Sequence, residues 1–327
     1  MSRKSIFASL VICAGIVFLS PSLGAAQATA SNVNSVNYEK IALLKWYAAN
    51  QSGNAIGAGG IPFALVFDGA NIWVANNQSP PNNVTKLRAA DGAYLGTFTA
   101  GQLPVALVFD GLNVWVANYG DGTITKLRAA DGADLGTFTV GAWPRSLAFD
   151  GTNVWVANQA SNNIMKVRAN DGTIMGTYNV GVEPTGLAFD GANIWVTNHY
   201  SNNVMKVRAI DGTILGAYNV GSFPEGLAFD GANIWVATGG SNTVTKLHAS
   251  DGASLGTFKV GSWPVSIAFD GIDIWVVNGQ GGNVTRLNAA TGANLGFFGV
   301  GTYPVAIAFD GANIWVGNRY EGSVSKL

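Results

Sequence analysis

The sequence predicts an all-β protein, a seven-bladed β-propeller with four-stranded antiparallel blades, and three observations predict it. A tryptophan returns at Trp73, Trp115, Trp155, Trp195, Trp235, Trp275 and Trp315, and an aspartate at Asp68, Asp110, Asp150, Asp190, Asp230, Asp270 and Asp310. The spacing is 42 residues once and 40 thereafter, and a fixed period of this length marks a solenoid or propeller. Within each unit, short apolar and β-branched runs are cut by Asp-Gly and Gly-x-x-Pro, with no amphipathic pattern long enough for a helix, which argues strands joined by tight turns.

The third unit serves to place the strands. Strand A is expected over Pro144 to Asp150, strand B over Asn153 to Asn158, strand C over Asn163 to Ala169 and strand D over Thr173 to Val180. Repeated around a ring, such blades leave only short, protected sheet edges. The segment Gly53 to Pro62 aligns with a strand D that has no blade of its own, while the seventh unit stops at Lys326-Leu327 inside strand C. The ring is therefore expected to close with an N-terminal strand completing the last blade. Leu43 to Ala48 also resembles a strand C, so either terminus could supply that strand.

Ahead of the repeats, Arg3 and Lys4 precede an apolar run from Ile6 to Leu19 and the small residues Gly24-Ala25-Ala26, the pattern of a secretory signal peptide over 1–26. That run is too short for a membrane span, so none is expected after cleavage. Residues 27–40 read as a flexible lead-in and 41–327 as the propeller, in an exported protein that is periplasmic, extracellular or at the cell surface, and monomeric. Cys13 is the one cysteine and lies in the removed segment, which excludes disulfides, thiol catalysis and thiolate metal sites from the mature chain. Removing Arg3 and Lys4 leaves 16 basic residues against 19 acidic, a net charge of −3. With no basic stripe, nucleic acid is not the expected partner.

The residues that carry the repeat also carry a resemblance. Pro184-Thr185-Gly186-Leu187-Ala188-Phe189-Asp190-Gly191, Ile194-Trp195-Val196-Thr197-Asn198, Ser201-Asn202-Asn203-Val204 and the closing Val220-Gly221 resemble the YVTN-type repeat of YncE-like seven-bladed propellers, over about residues 54 to 327. The resemblance implies the fold; a propeller hosts many unrelated activities. A more distant similarity is to virginiamycin B lyase-type propellers, which rely on His and Glu with magnesium and have a Trp-Phe-Thr-Glu-type strand B. This sequence departs from that pattern: Asn198 and its counterparts stand where that family has Glu, and no His follows any strand A proline.

Most charged residues belong to the repeat. Twelve of the 19 acids are turn aspartates, five of them (Asp91, Asp131, Asp171, Asp211 and Asp251) between strands C and D, where Asp-Gly is a favoured hairpin turn. Strand C cations such as Lys166 and Arg168 lie two apart, on one strand face, and read as solvated or paired with those aspartates. The tryptophans read as blade-to-blade packing, and the Asn ending strand B as turn chemistry. Asn83-Val84-Thr85 and Asn283-Val284-Thr285 match a glycan acceptor, at positions that repeat for structural reasons.

What varies falls on one side. Strand alternation puts the A–B and C–D turns on one rim and the B–C and D–A loops on the other, and the second rim holds nearly all the variation between units; repeat proteins usually bind on the face where their units differ. Flanking the strand A prolines and in the B–C loops, this face concentrates Trp143, Arg145, Glu183, His199, Tyr200, Phe223 and Glu225, with Trp263 and Tyr303 at equivalent positions further on. Aromatic walls with a few convergent polar groups suit a small-ligand or peptide site. The bland alternative is that Arg145 and Glu225 pair across the channel; a sharper one sets a metal on His199, Glu183 and Glu225.

No Ser-His-Asp or Cys-His constellation is available, so no catalytic residue, metal or cofactor is expected. The reading is a binding or scaffold module for a peptide, glycan or protein partner. The alternatives are a propeller lyase or lactonase-like hydrolase with a divalent metal, or a cell-surface structural protein without a specific ligand.

Overall fold

In the computed structural model, which describes residues 55–327 except Ser79 and Pro81, every unit folds as a four-stranded antiparallel sheet and seven such sheets stand side by side. In the third blade, strand A is Pro144–Phe149, strand B Asn153–Asn158, strand C Asn163–Arg168 and strand D Ile174–Asn179, each within a residue of expectation. The signal segment, the lead-in and the strand-like Leu43 to Ala48 lie outside the described residues.

The seventh blade closes as the sequence implies. Ile56–Gly57 pairs antiparallel with Ser323–Lys326, in the register Ile56↔Val324 and Gly57↔Ser323. Strand C of the closing blade thus comes from the C-terminal end and strand D from the N-terminal side. Ile56 takes the place that Phe or Tyr holds in the other strands D, against the C–D turn glycine of the next blade. Such a glycine is required there: at Gly172, with φ +76°, a Cβ would run into the Phe138 ring of the preceding blade.

Strand B is buried on both faces between neighbouring blades, so it reads as an unbroken apolar run rather than an alternation. Trp115, Ala117 and Ile124 pack with Val154, Val156 and Val167 of the following blade, and the same cluster recurs seam by seam. An aromatic side chain of this size buries 150–250 Å², on the order of 4–6 kcal/mol of gross transfer free energy as an upper bound. No blade can bury this surface alone.

Two polar devices fix each tryptophan. The turn aspartate accepts from its indole: Trp195 Nε1 donates to Asp190 Oδ2 at 2.8 Å, while Asp190 Oδ1 accepts from the Ala192 and Asn193 amides at 2.9 and 2.7 Å. Burial by itself pushes the Asp190 carboxyl up, but the indole, Asn193 and backbone donors outweigh it and hold the group below the usual 3.8; the same balance holds at Asp68, Asp110, Asp150, Asp230 and Asp310. Over each indole lies the strand C cation. Lys206 Nζ is 5.2 Å from the Trp195 ring and donates to the Ala249 and Ser250 carbonyls of the next blade at 2.7 and 2.9 Å.

This corrects the reading of the strand C lysines as solvated or paired with turn aspartates. The neighbouring arginines do pair so, as Arg168 with Asp171 at 3.0 Å, because their end of the strand reaches the rim. The lysines sit deeper, where the adjoining blade offers carbonyls and no carboxylate. Five further seams have this latch, including Lys326 to Ala89 across the closure at 2.9 Å. In blade 6 Arg286 stands in the lysine's place and pairs within its own blade with Asp273, at 2.6 and 2.8 Å.

Two outcomes follow from these contacts. Lys206→Met keeps the aliphatic packing but strands two carbonyls at a seam, so urea unfolding is expected to show a loss of about 1–3 kcal/mol. The aspartates whose folded pKa is depressed contribute stability that is present above 3.8 and disappears as pH falls through their lowered folded values. A melting series from pH 6 to pH 2 should therefore stay level at first and drop only below about pH 4.

Candidate functional site

The site is shaped by an irregularity shared by all seven blades. The A–B ladder slips just after the strand A proline, as between Pro144 and Ser146, so the post-proline residue has no partner across the sheet. A bulge of this kind re-aims a side chain, and here Phe63, Val105, Arg145, Thr185, Glu225 and Val265 line the central channel. In blade 5 the slip is wider, spanning Pro224 to Leu227, and leaves both Glu225 and Gly226 outside the ladder. The channel holds a cavity of about 190 Å³, room for several waters or one small polar group and less than a drug-sized ligand needs.

The pre-proline residues form the rim. Leu103, Trp143, Glu183, Phe223, Trp263 and Tyr303 all adopt φ of 53 to 56°, a left-handed conformation costing roughly 1–2 kcal/mol in a residue other than glycine. Backbone bonds on both sides over-determine it. The Glu183 amide donates to Asn162 Oδ1 of the preceding blade at 2.8 Å, and the Glu183 carbonyl accepts from the His199 amide at 2.9 Å. Held this way, a bulky side chain stands out from the rim; Trp143 is 47% exposed.

Of the nine residues singled out in the sequence, five come together and the other four each meet a partner outside that set. His199, Tyr200, Phe223 and Trp263 form one aromatic cluster over blades 4 to 6: His199 stacks on Phe223 at 4.9 Å, Tyr200 meets His199 edge-on at 5.0 Å, and Phe223 lies 6.1 Å from Trp263. Glu225 closes this group, its Oε1 3.1 Å from His199 Nδ1 but off the hydrogen-bond axis, with both side chains about one-seventh exposed. Trp143 stacks on Tyr119 at 5.4 Å, and Glu183 accepts from Gln159 Nε2 at 2.8 Å. Burial pushes the Tyr119 phenol up, with Arg145 pulling it down and Glu183 adding to the rise; these charges share one neighbourhood. Tyr303 stands apart, stacked on Tyr320 at 4.8 Å.

Arg145 does not pair with Glu225. Glu225 faces His199, while the Arg145 guanidinium lies 4.7 Å from the centre of the Phe63 ring. Arg319 approaches the same ring at 5.3 Å. Phe63 and Arg319 belong to the variable face but were not in the expected site; only ring closure, which sets blade 7 beside blade 1, brings them to Arg145. The turn rim opposite has isolated exposed aliphatics, Leu112, Ile210 and Ile272, on alternate blades.

The divalent ion of the lyase resemblance does not fit this arrangement. His199 and Glu225 meet, but Glu183 turns to Gln159, and among the described residues no three His, Cys, Asp or Glu side chains converge. Magnesium requires near-octahedral oxygen ligation.

No protein-family model matches the sequence, and no curated protein matches it. Solved structures do. The chain is similar to a chain of the Kuenenia stuttgartiensis hydrazine synthase (16% identity, TM-score 0.73, covering 84% of this chain and 96% of that one). It is similar to a streptogramin B lyase structure (17% identity, TM-score 0.70, 83% and 93%) and to the WD40 β-propeller domain of Doa1 (12% identity, TM-score 0.73, 85% and 95%). At these identities the likeness defines the fold, a β-propeller, and no more.

Because the rim residues are bulky in a conformation that favours glycine, their side chains are expected to be dispensable for folding. Trp143→Gly relieves the left-handed strain while losing one exposed ring stack, terms of about 1 kcal/mol each and opposite sign. Its unfolding free energy should stay within about 1 kcal/mol of the parent; a larger loss would make Trp143 a structural residue.

Proposed function

We propose that the chain is an exported propeller of the YVTN/YncE-like kind that works as a binding or scaffold module for a peptide, glycan or protein partner, using the face of its B–C and D–A loops. The observation that carries this reading is the convergence of bulged and left-handed positions on one rim. There the side chains differ from blade to blade, whereas the indole–aspartate contact within blades and the lysine contact between them repeat. Trp143, Tyr200 and Tyr320 are 47, 57 and 68% exposed around a channel mouth with Arg145, His199 and Glu225. Exposed aromatics beside charged groups are the usual energetic centres of a binding face. The signal-like segment at the N-terminus supports export.

A test uses the mature chain on glycan and peptide arrays, with Trp143→Ala, Arg145→Ala and Glu225→Ala combined. The parent should give discrete hits and the triple variant should lose them by about 100-fold, with the melting temperature shifted by less than about 4 °C. Hits that survive in the variant place the site elsewhere. A blank array with the parent favours a structural protein without a specific ligand.

A further inference from the structure

Seven arginines fall in the described residues, and five of them have carboxylate partners. Arg88, Arg128, Arg168 and Arg208 pair with turn aspartates at 3.0 to 3.1 Å, and Arg286 pairs with Asp273. The two exceptions are Arg145 and Arg319, whose guanidiniums meet no carboxylate or hydrogen-bond acceptor among the described residues, and both lie at the channel mouth on the ring of Phe63. They come from blades 3 and 7, far apart in sequence, yet their guanidiniums are separated by no more than the sum of their distances to that one ring. In a mildly acidic chain that matches nearly every other cation to a carboxylate or carbonyl, two unmatched guanidiniums on one aromatic ring stand out.

We infer that the channel mouth at Phe63, Arg145 and Arg319 binds an acidic group, a carboxylate or phosphate, of a small anionic ligand. A cation–π contact engages the charge through the ring face and leaves in-plane N–H donors to grip an anion bidentately. The cavity below admits one such group and little more. Glu183 is bonded to Gln159 and Glu225 faces His199, so neither carboxylate neutralises the two guanidiniums. The aromatic rim covers the uncharged remainder of the ligand. This inference rests on the reading of this face as a binding surface and adds the chemistry of what it takes.

The experiment titrates the mature chain with citrate and, separately, with inorganic phosphate by calorimetry at low and at moderate salt, with neutral glucose as control. Binding of at least one anion is expected, weakening as salt rises, with glucose silent; which anion binds tells carboxylate from phosphate. Arg145→Gln and Arg319→Gln should each weaken it by at least about tenfold, the double Arg→Lys variant should retain part of it, and Arg88→Gln on the opposite rim should leave it unchanged. Circular dichroism confirms that each variant is folded. No heat from either anion, or equal affinity in the folded Arg145→Gln/Arg319→Gln double variant, overturns the inference. The arrays separate the two readings: neutral array ligands that survive Arg319→Gln sustain the binding module without the acid site, and arginine-dependent citrate binding with a blank array sustains the acid site alone.

Discussion

Everything in this molecule depends on an apolar face that no blade can cover by itself. The strand B tryptophan of one blade is sealed by the aliphatic side chains of the next, pinned from below by its turn aspartate and roofed by a strand C lysine whose ammonium reaches the neighbouring backbone. Since each seam needs the one beyond it, the chain is stable only as a closed circuit. Completing the last blade from both ends of the sequence answers that need.

With stability assigned to the seams, the loop rim is released from it. The proline that starts strand A is flanked by a bulge on one side and, in six blades, by a left-handed residue on the other, and at Glu183 the left-handed conformation is secured by backbone and asparagine contacts rather than by the identity of the side chain. The same scaffold therefore presents Trp143 in one blade, Glu183 in the next and Phe223 in the one after, without altering the core. What differs between blades on this rim is substitution at positions where the fold has little stake.

The strands were legible in the sequence because their signals are local: a six-residue apolar run, an Asp-Gly turn, a proline. So was the gathering of the B–C and D–A loops on one rim, which follows from strand alternation alone. Three things were not legible, each for a physical reason. The bulge is a mismatch between two strands and leaves no mark in either. The lysine ammonium at Lys206 is satisfied by carbonyls of another blade, and a backbone partner has no sequence signature. The company of Arg145 is the third: charge complementarity offers Glu225 as an alternative partner, while closure of the ring delivers Phe63 and Arg319 instead.

Six of the seven seams share one fastening and the remaining one does not, since Arg286 keeps to Asp273 in its own blade. The circuit thus has a joint between blades 6 and 7 that can widen without parting an ammonium from a carbonyl. Blade 7 is also where Arg319 stands, so the aperture and the joint share a wall. Any opening of that joint would move Arg319 relative to Arg145, since the two meet Phe63 from blades 7 and 3.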